Sequence, residues 1–164
     1  MGYVNLSADE LLLSQSEIQS ALTLAAGFAE VRGPSRESVG DVLRSAAADS
    51  AYRQFRGQLV LNEEPRPLTV SQLALVFESD VIAQRTFDQV AAAAHLRAEV
   101  DHCEVAVETV ATAGLVGYWG FVHRDRAILV LTLDTLDPQH VSMADLRGLV
   151  LVAAGRMVAR SSAS

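Results

Sequence analysis

The stretch Ala127–Leu133 (Ala-Ile-Leu-Val-Leu-Thr-Leu) is apolar at six of its seven positions. If extended, it sends Ile128 and Val130 to one side and Leu129, Leu131 and Leu133 to the other. A strand greasy on both sides belongs inside a sheet. Tyr118–Val122 leads up to it through His123-Arg124-Asp125-Arg126, and the two segments are expected to pair as an antiparallel hairpin.

The rest of the chain supplies layers for that sheet. Ser14 followed by Glu17 is a capping box, so a helix should start at Ser14, bury Ile18, Ala21, Leu22 and Ala25, and end at Gly27. Val31–Ser35 reads as a loop, and 37–48 as a weaker helix interrupted by Gly40. A strand is expected over Tyr52–Leu61, a proline-rich connection over Asn62–Pro67, and a second strand over Leu68–Phe77. Ser79 can cap a helix reaching about Leu96, with Ala83, Phe87, Val90, Ala91 and Ala94 inward and Arg85, Asp88 and Gln89 outward. Cys103–Ala111 alternates like a strand with one face in water, and Gly114 and Gly117 punctuate the residues after it. Ser142 with Asp145 caps a last helix whose stripe is Leu146, Leu149, Val150, Ala153 and Met157, with Arg156 and Arg160 at its cation-favouring end. Strands after residue 100 succeed one another by tight links with no crossover helix, which favours an antiparallel α+β sheet.

At 164 residues the chain fits one domain, and a domain of that size buries roughly 70% of its unfolded surface. Only 5% of residues are aromatic, so Leu, Val, Ile and Ala must fill the core. All 13 cationic residues are arginine, which together with abundant Ala, Val and Gly looks like the codon bias of a high-GC actinobacterium. The net charge of −7 argues against tracking nucleic-acid phosphates. A single cysteine, Cys103, rules out an intrachain disulfide. No apolar run is long enough to span a bilayer, and the N-terminus lacks the pattern of a signal peptide.

Candidate chemistry is sparse. The soft ligands are His95, His102, Cys103, His123 and His140; His102 and Cys103 are adjacent and would point to opposite faces of a strand, so no metal site is expected. No Gly-x-Ser-x-Gly elbow is present, Cys103 does not sit at a helix N-terminus, and Gly114-Leu115-Val116-Gly117 lacks the end of a phosphate loop. Asp134, Asp137 and His140 gather near a strand end, where turn formation explains them. Tyr118, Trp119 and Phe121 join apolar bodies to two polar handles, the mixture that binding surfaces favour, although core packing uses the same residues.

Taken in order, several short motifs resemble one known family. They are Leu11-Leu12-Leu13-Ser14 with Glu17, Tyr52 with Gly57-Gln58, Val76-Phe77-Glu78-Ser79 leading into Ala83-Gln84-Arg85-Thr86-Phe87, and Arg126 to Val130 ahead of an alanine-rich terminal helix. Their order is similar to that of the PknH-like sensor domain, the extracellular domain of some mycobacterial Ser/Thr protein kinases and related lipoproteins. The resemblance implies an antiparallel sheet flanked by helices, a cleft for an extracytoplasmic ligand, and no catalysis. The family typically pairs cysteines in disulfides, whereas Cys103 stands alone here.

The fold expected is therefore α+β: one domain over 1–160, an antiparallel β-sheet with helices packed on one face, and a disordered tail at 161–164. The function expected is a non-enzymatic sensor or ligand-binding domain of the cell envelope. Its ligand would be an unidentified small molecule or envelope component held in a cleft near Tyr118, Trp119 and Phe121. No catalytic residue, cofactor, metal, nucleic acid or direct membrane insertion is expected. One alternative is a structural or interaction module that dimerises through an exposed sheet edge or helix face. Another is a small hydrolase, which needs a Ser or Cys within reach of His95, His102, His123 or His140. The location is extracytoplasmic if a signal or anchor precedes Met1 in the native protein, and cytoplasmic otherwise.

Overall fold

A computed structural model describes residues 6–23, 25–31, 43–60, 66–112, 115–135 and 142–162. Its centre is a seven-stranded sheet built from β1 (Ala25–Glu30), β2 (Asp49–Leu59), β3 (Arg66–Val76), β4 (Leu96–Val100), β5 (Cys103–Thr112), β6 (Leu115–Arg124) and β7 (Ala127–Thr135). The order is β1-β2-β3-β7-β6-β5-β4, and every neighbouring pair is antiparallel. The apolar stretch that most constrains the sequence is thus the middle strand, β7. It pairs with β6 as expected, Phe121 opposite Val130, and on its other side with β3, Leu73 opposite Val130. The β6–β7 turn is only two residues long, Asp125-Arg126, with Asp125 at φ +51°.

The two faces of β7 feed two cores. Leu129, Leu131 and Leu133 join α1 (Gln15–Ala21) and α3 (Met143–Ser162), whose Ile18, Leu146, Leu149, Val150, Ala153 and Met157 are all buried. Ile128 and Val130 join α2 (Asp80–Val90) on the opposite face through Ala83 and Phe87. Helices therefore cover both faces, not the one face expected. The physical reason is that β3 and β7 are apolar on both sides, and a second layer is needed to take Leu73, Leu75, Ile128 and Val130 out of water. For the same reason β5 is wet on that face only in part: Ala106 is 1% exposed beneath the second layer, while Glu104 on the same face stays open to solvent.

The caps read from the sequence are present. Ser14 Oγ accepts from the Glu17 N–H, Ser79 Oγ from the Ile82 N–H, and Ser142 Oγ from the Ala144 N–H while Asp145 accepts from the Ser142 N–H. Arg156 in the last helix pairs with Glu17 in the first, closing α1 onto α3. Other boundaries differ from those expected. The first helix stops at Ala21, and Ala25 and Gly27 belong to β1, where Gly27 takes φ +68° beside a break in register between Ala26 and Ala29. That is the position of a β-bulge, which needs the same left-handed freedom as a helix end. Arg66 and Pro67 already belong to β3, with Pro67 opposite Gln58. The helix after Ser79 gives way to a 3₁₀ turn at Ala91–Ala93, and Leu96 opens β4, a short edge strand that the helical spacing conceals. Gly117 lies within β6. Of the weaker helix at 37–48, residues 43–46 are helical and 37–42 lie outside the described residues, as do Gly114, Asp137, His140 and most of the 31–35 loop. The final helix continues through Ser162. Among the described residues, no helix is long and apolar enough to cross a membrane.

Candidate functional site

Odd-numbered residues of β6 face α2, and this rule carries Trp119, Phe121 and His123 in a row beneath that helix. His123 ends the row. Its ring stacks on Phe87 of α2 with centroids 5.2 Å apart and planes inclined by 26°. Its Nε2 lies 3.0 Å from the Asp125 carbonyl oxygen, which can only accept, so Nε2 carries a proton. The other nitrogen, Nδ1, is buried without a hydrogen-bond partner and lies 3.6 Å from Glu104 Oε1. The register explains that approach, since Glu104 on β5 is the direct cross-strand partner of His123.

Around this pair the chain leaves an open cleft of about 490 Å³. One wall is the N-terminal half of α2, with Asp80, Gln84 and Arg85; the other is formed by two hairpin turns, carrying His102, Arg124 and Asp125. His102 and Asp101 both take positive φ, +63° and +49°, the conformation a two-residue turn between β4 and β5 demands. Arg124 Nη1 donates to the Asp101 carbonyl at 3.3 Å and ties one turn to the other. Behind the cleft, Arg97 of β4 lies over the Phe87 ring and bonds Asp88 at 2.9 Å, with Glu104 at 3.5 Å. The Arg97 guanidinium holds the Asp88 carboxyl below the usual carboxylate range.

The chemistry follows from the His123–Glu104 contact. With Nε2 donating to the Asp125 carbonyl, His123 turns Nδ1 toward the Glu104 carboxylate at 3.6 Å, beyond hydrogen-bond distance, and the carboxylate oxygens can only accept. A group carrying two donor hydrogens, an ammonium or a primary amide, can donate one to the Nδ1 lone pair and the other to the carboxylate. None of the described residues lining the cleft is a Ser or Cys. Among the described residues no Ser or Cys hydrogen-bonds a histidine; Cys103 is buried on the far face, its thiol against the Ala154 carbonyl, and burial pushes its pKa up. Nor does any group of three or more His, Cys, Asp or Glu among the described residues suit a metal ion.

The structure does not bring the three aromatic candidates together. Phe121 is 2% exposed in the core under α2, Trp119 lies half-buried beside it with ring centroids 6.3 Å apart, and Tyr118 points to the opposite face, against the α1/α3 core. His102 does line the cleft from the β4–β5 turn, whereas Cys103, the first residue of β5, is buried on the opposite face of the sheet. His123, Glu104, Asp80 and Arg85 carry the site, and the sequence reading does not single them out together. The signal that could have found them is the hairpin register, which sets Glu104 opposite His123 once β5 and β6 are paired.

A second polar group lies further along the same face. Ser71 and Thr132 are buried cross-strand partners, and Gln54 Nε2 donates to Ser71 Oγ at 3.0 Å. Gly117, opposite Asp134, leaves the room that the Asp134 carboxylate and the Trp119 indole nitrogen occupy: a Cβ there would stand 2.8 Å and 3.2 Å from them. Burial raises the Asp134 pKa, and the nearby Thr132 hydroxyl offsets this only in part. A raised folded-state pKa means that the ionised carboxylate costs stability. The loss sets in as pH climbs past the ordinary value of 3.8 and is complete above the folded-state pKa. Asp134→Asn is therefore expected to melt with wild type in acid below that ordinary value and above it at neutral pH, as thermal denaturation across pH will show. Equal melting at both ends of the range would mean that the carboxylate is not held against its solvation.

No family model matches the chain, and no curated protein matches it. Among solved structures the chain is similar to the crystal structure of the extracellular domain of PknH from Mycobacterium tuberculosis, with 9% identity and a TM-score of 0.46 over 99% of this chain and 100% of that one. It is also similar to a crystal structure from Bacteroides thetaiotaomicron VPI-5482, with 9% identity and a TM-score of 0.43 over 76% of this chain; it spans 40% of that longer chain.

Proposed function

We propose that this chain is a non-catalytic ligand-binding domain of the sensor type. Its ligand is a small polar molecule that offers a hydrogen-bond donor, an amine or a polyol, to the cleft between α2 and the two hairpin turns. The observation that carries the reading is His123 Nδ1, buried, without a hydrogen-bond partner and 3.6 Å from the Glu104 carboxylate. Asp80 and Asp125 at the rim favour a cationic group, while Arg85 and Arg124 offer donors to hydroxyl or carboxylate oxygens on the same molecule. We adopt with it the extracytoplasmic location that the sequence motifs imply for a domain of this kind.

The test is a thermal-shift screen of amines and polyols against wild type and His123→Leu, a variant that keeps bulk and loses the lone pair. A ligand that raises the wild-type melting temperature and leaves His123→Leu unmoved supports the assignment. If every stabilising compound acts equally on both proteins, or none acts on either, the cleft is not the binding site.

A further inference from the structure

Strand β4 is one edge of the sheet, and four of its five residues are exposed. The opposite edge, β1, is interrupted by its bulge and by Gly27, a device that discourages pairing with another chain; β4 runs in unbroken register with β5 from Leu96 to Val100. The β4–β5 turn has two residues, so Val100 and Cys103 exchange both backbone bonds, and by alternation Ala98 and Leu96 also bond to β5. The N–H and C=O groups of Arg97 and Glu99 therefore point outward, with no strand to meet them among the described residues.

We infer that the chain forms a two-fold homodimer by antiparallel pairing of β4 with β4, centred on Ala98, with Arg97 of each protomer opposite Glu99 of the other. Only registers that align odd-numbered residues with odd-numbered residues use the outward backbone groups. Setting Arg97 against Arg97 opposes like charges, as does Glu99 against Glu99, whereas the register centred on Ala98 places two opposite-charge pairs across the seam. It also relieves a defect of the monomer, where Glu99 stands directly opposite Glu104. On the other face the same register lays Leu96 against the partner's Val100. There β4, Val105 and Val107 form with Leu151 of α3 an almost wholly apolar groove of about 150 Å³, and Leu96 and Leu151 are 39% and 53% exposed. A second copy extends that apolar strip across the axis, so backbone, charge and apolar surface all select the same partner.

Sedimentation equilibrium over a range of concentrations is the test. Wild type is expected to show a monomer–dimer equilibrium. Glu99→Arg opposes like charges at the seam and is expected to weaken dimerisation roughly 10-fold or more; within its own chain an arginine there faces Glu104, so the melting temperature is held or raised. Mixing Glu99→Arg with Arg97→Glu makes both seam pairs complementary and is expected to restore a heterodimer. Arg97→Glu also loses Asp88 and Glu104 as partners; if it fails to fold, Glu99→Pro decides, because it removes an outward N–H and spares the bonds to β5. A wild type that stays monomeric at every concentration overturns the inference, and so does a dimer that neither Glu99→Arg nor Glu99→Pro weakens.

Discussion

Replacing Gln72 with alanine is expected to remove about 3–5 kcal/mol from the stability of the fold. Gln72 lies in the middle of β3 with no exposed surface, on the face that carries α1 and α3. Its amide forms two reciprocal bonds with one residue: Oε1 accepts the Leu13 N–H at 2.6 Å and Nε2 donates to the Leu13 carbonyl at 3.0 Å. Leu13 is itself fully buried, between a 3₁₀ turn at Ala8–Leu11 and the start of α1, and neither element offers it a strand partner. The side chain thus does for Leu13 what a neighbouring strand would do, and truncation orphans two buried backbone groups while opening a void. Of two further ties, the Arg53–Asp9 pair is exposed enough to contribute little alone, and Asp49 accepts from the Ala8 N–H at a partly buried position. Urea denaturation of wild type, Gln72→Ala and Gln72→Leu separates the causes. Leucine refills the volume and leaves the two backbone groups unpaired, so it should recover only the smaller share of the loss. Full recovery by leucine would assign the effect to packing and refute the tie.

How far such features are legible in the sequence depends on their range. Caps are local, two or three residues from hydroxyl to N–H, and Ser14, Ser79 and Ser142 are readable without a fold. The two-sided character of Ala127–Leu133 is a property of the strand alone, and it places β7 correctly within a sheet. The features that escape depend on partners distant in sequence. Gln72 interrupts an alternating apolar strand and reads as a misplaced polar residue until Leu13, 59 positions away, is brought to it. β4 merges into the preceding helix because alanines at 91–94 continue its spacing, and only pairing with Val105 and Val107 makes 96–100 extended. His123 reads as part of a turn; the turn is tighter, and the residue belongs to the last pair but one of the hairpin, which is why its ring is fixed under Phe87 and not free in solvent. Proximity in sequence makes Tyr118, Trp119 and Phe121 look like one group, and the alternation of a strand splits such a group between two faces.

Leu131→Ala is expected to cost about 3–5 kcal/mol, toward the upper end for a buried leucine, because its surroundings cannot close over the space. Leu131 is fully buried at the middle of the central strand. Across β7 its two cross-strand neighbours are Gln72 and Gly120. Gln72 is held in place by its bonds to Leu13, so it cannot lean into the void without breaking them. Gly120 has no side chain to offer, and its flank is already filled from above: a Cβ there would stand 2.7 Å from Val150 Cγ2 of α3. Val150 is β-branched on a helix, with essentially one χ1 rotamer available, so it too stays where it is. The three residues therefore share one rigid pocket in which the N-terminal segment, the central strand and the last helix meet. A consequence is that Gln72→Ala and Leu131→Ala should not be additive: once Leu13 is released from Gln72, the segment above can settle into the space that Leu131 leaves, and the double variant should lose less than the sum by about 1 kcal/mol. Equilibrium unfolding of the two single variants and the double variant measures that difference directly. A double variant that loses the full sum would show that the two residues stabilise separate parts of the core, and that the reciprocal bonds to Leu13 hold the N-terminal segment without helping to hold Leu131.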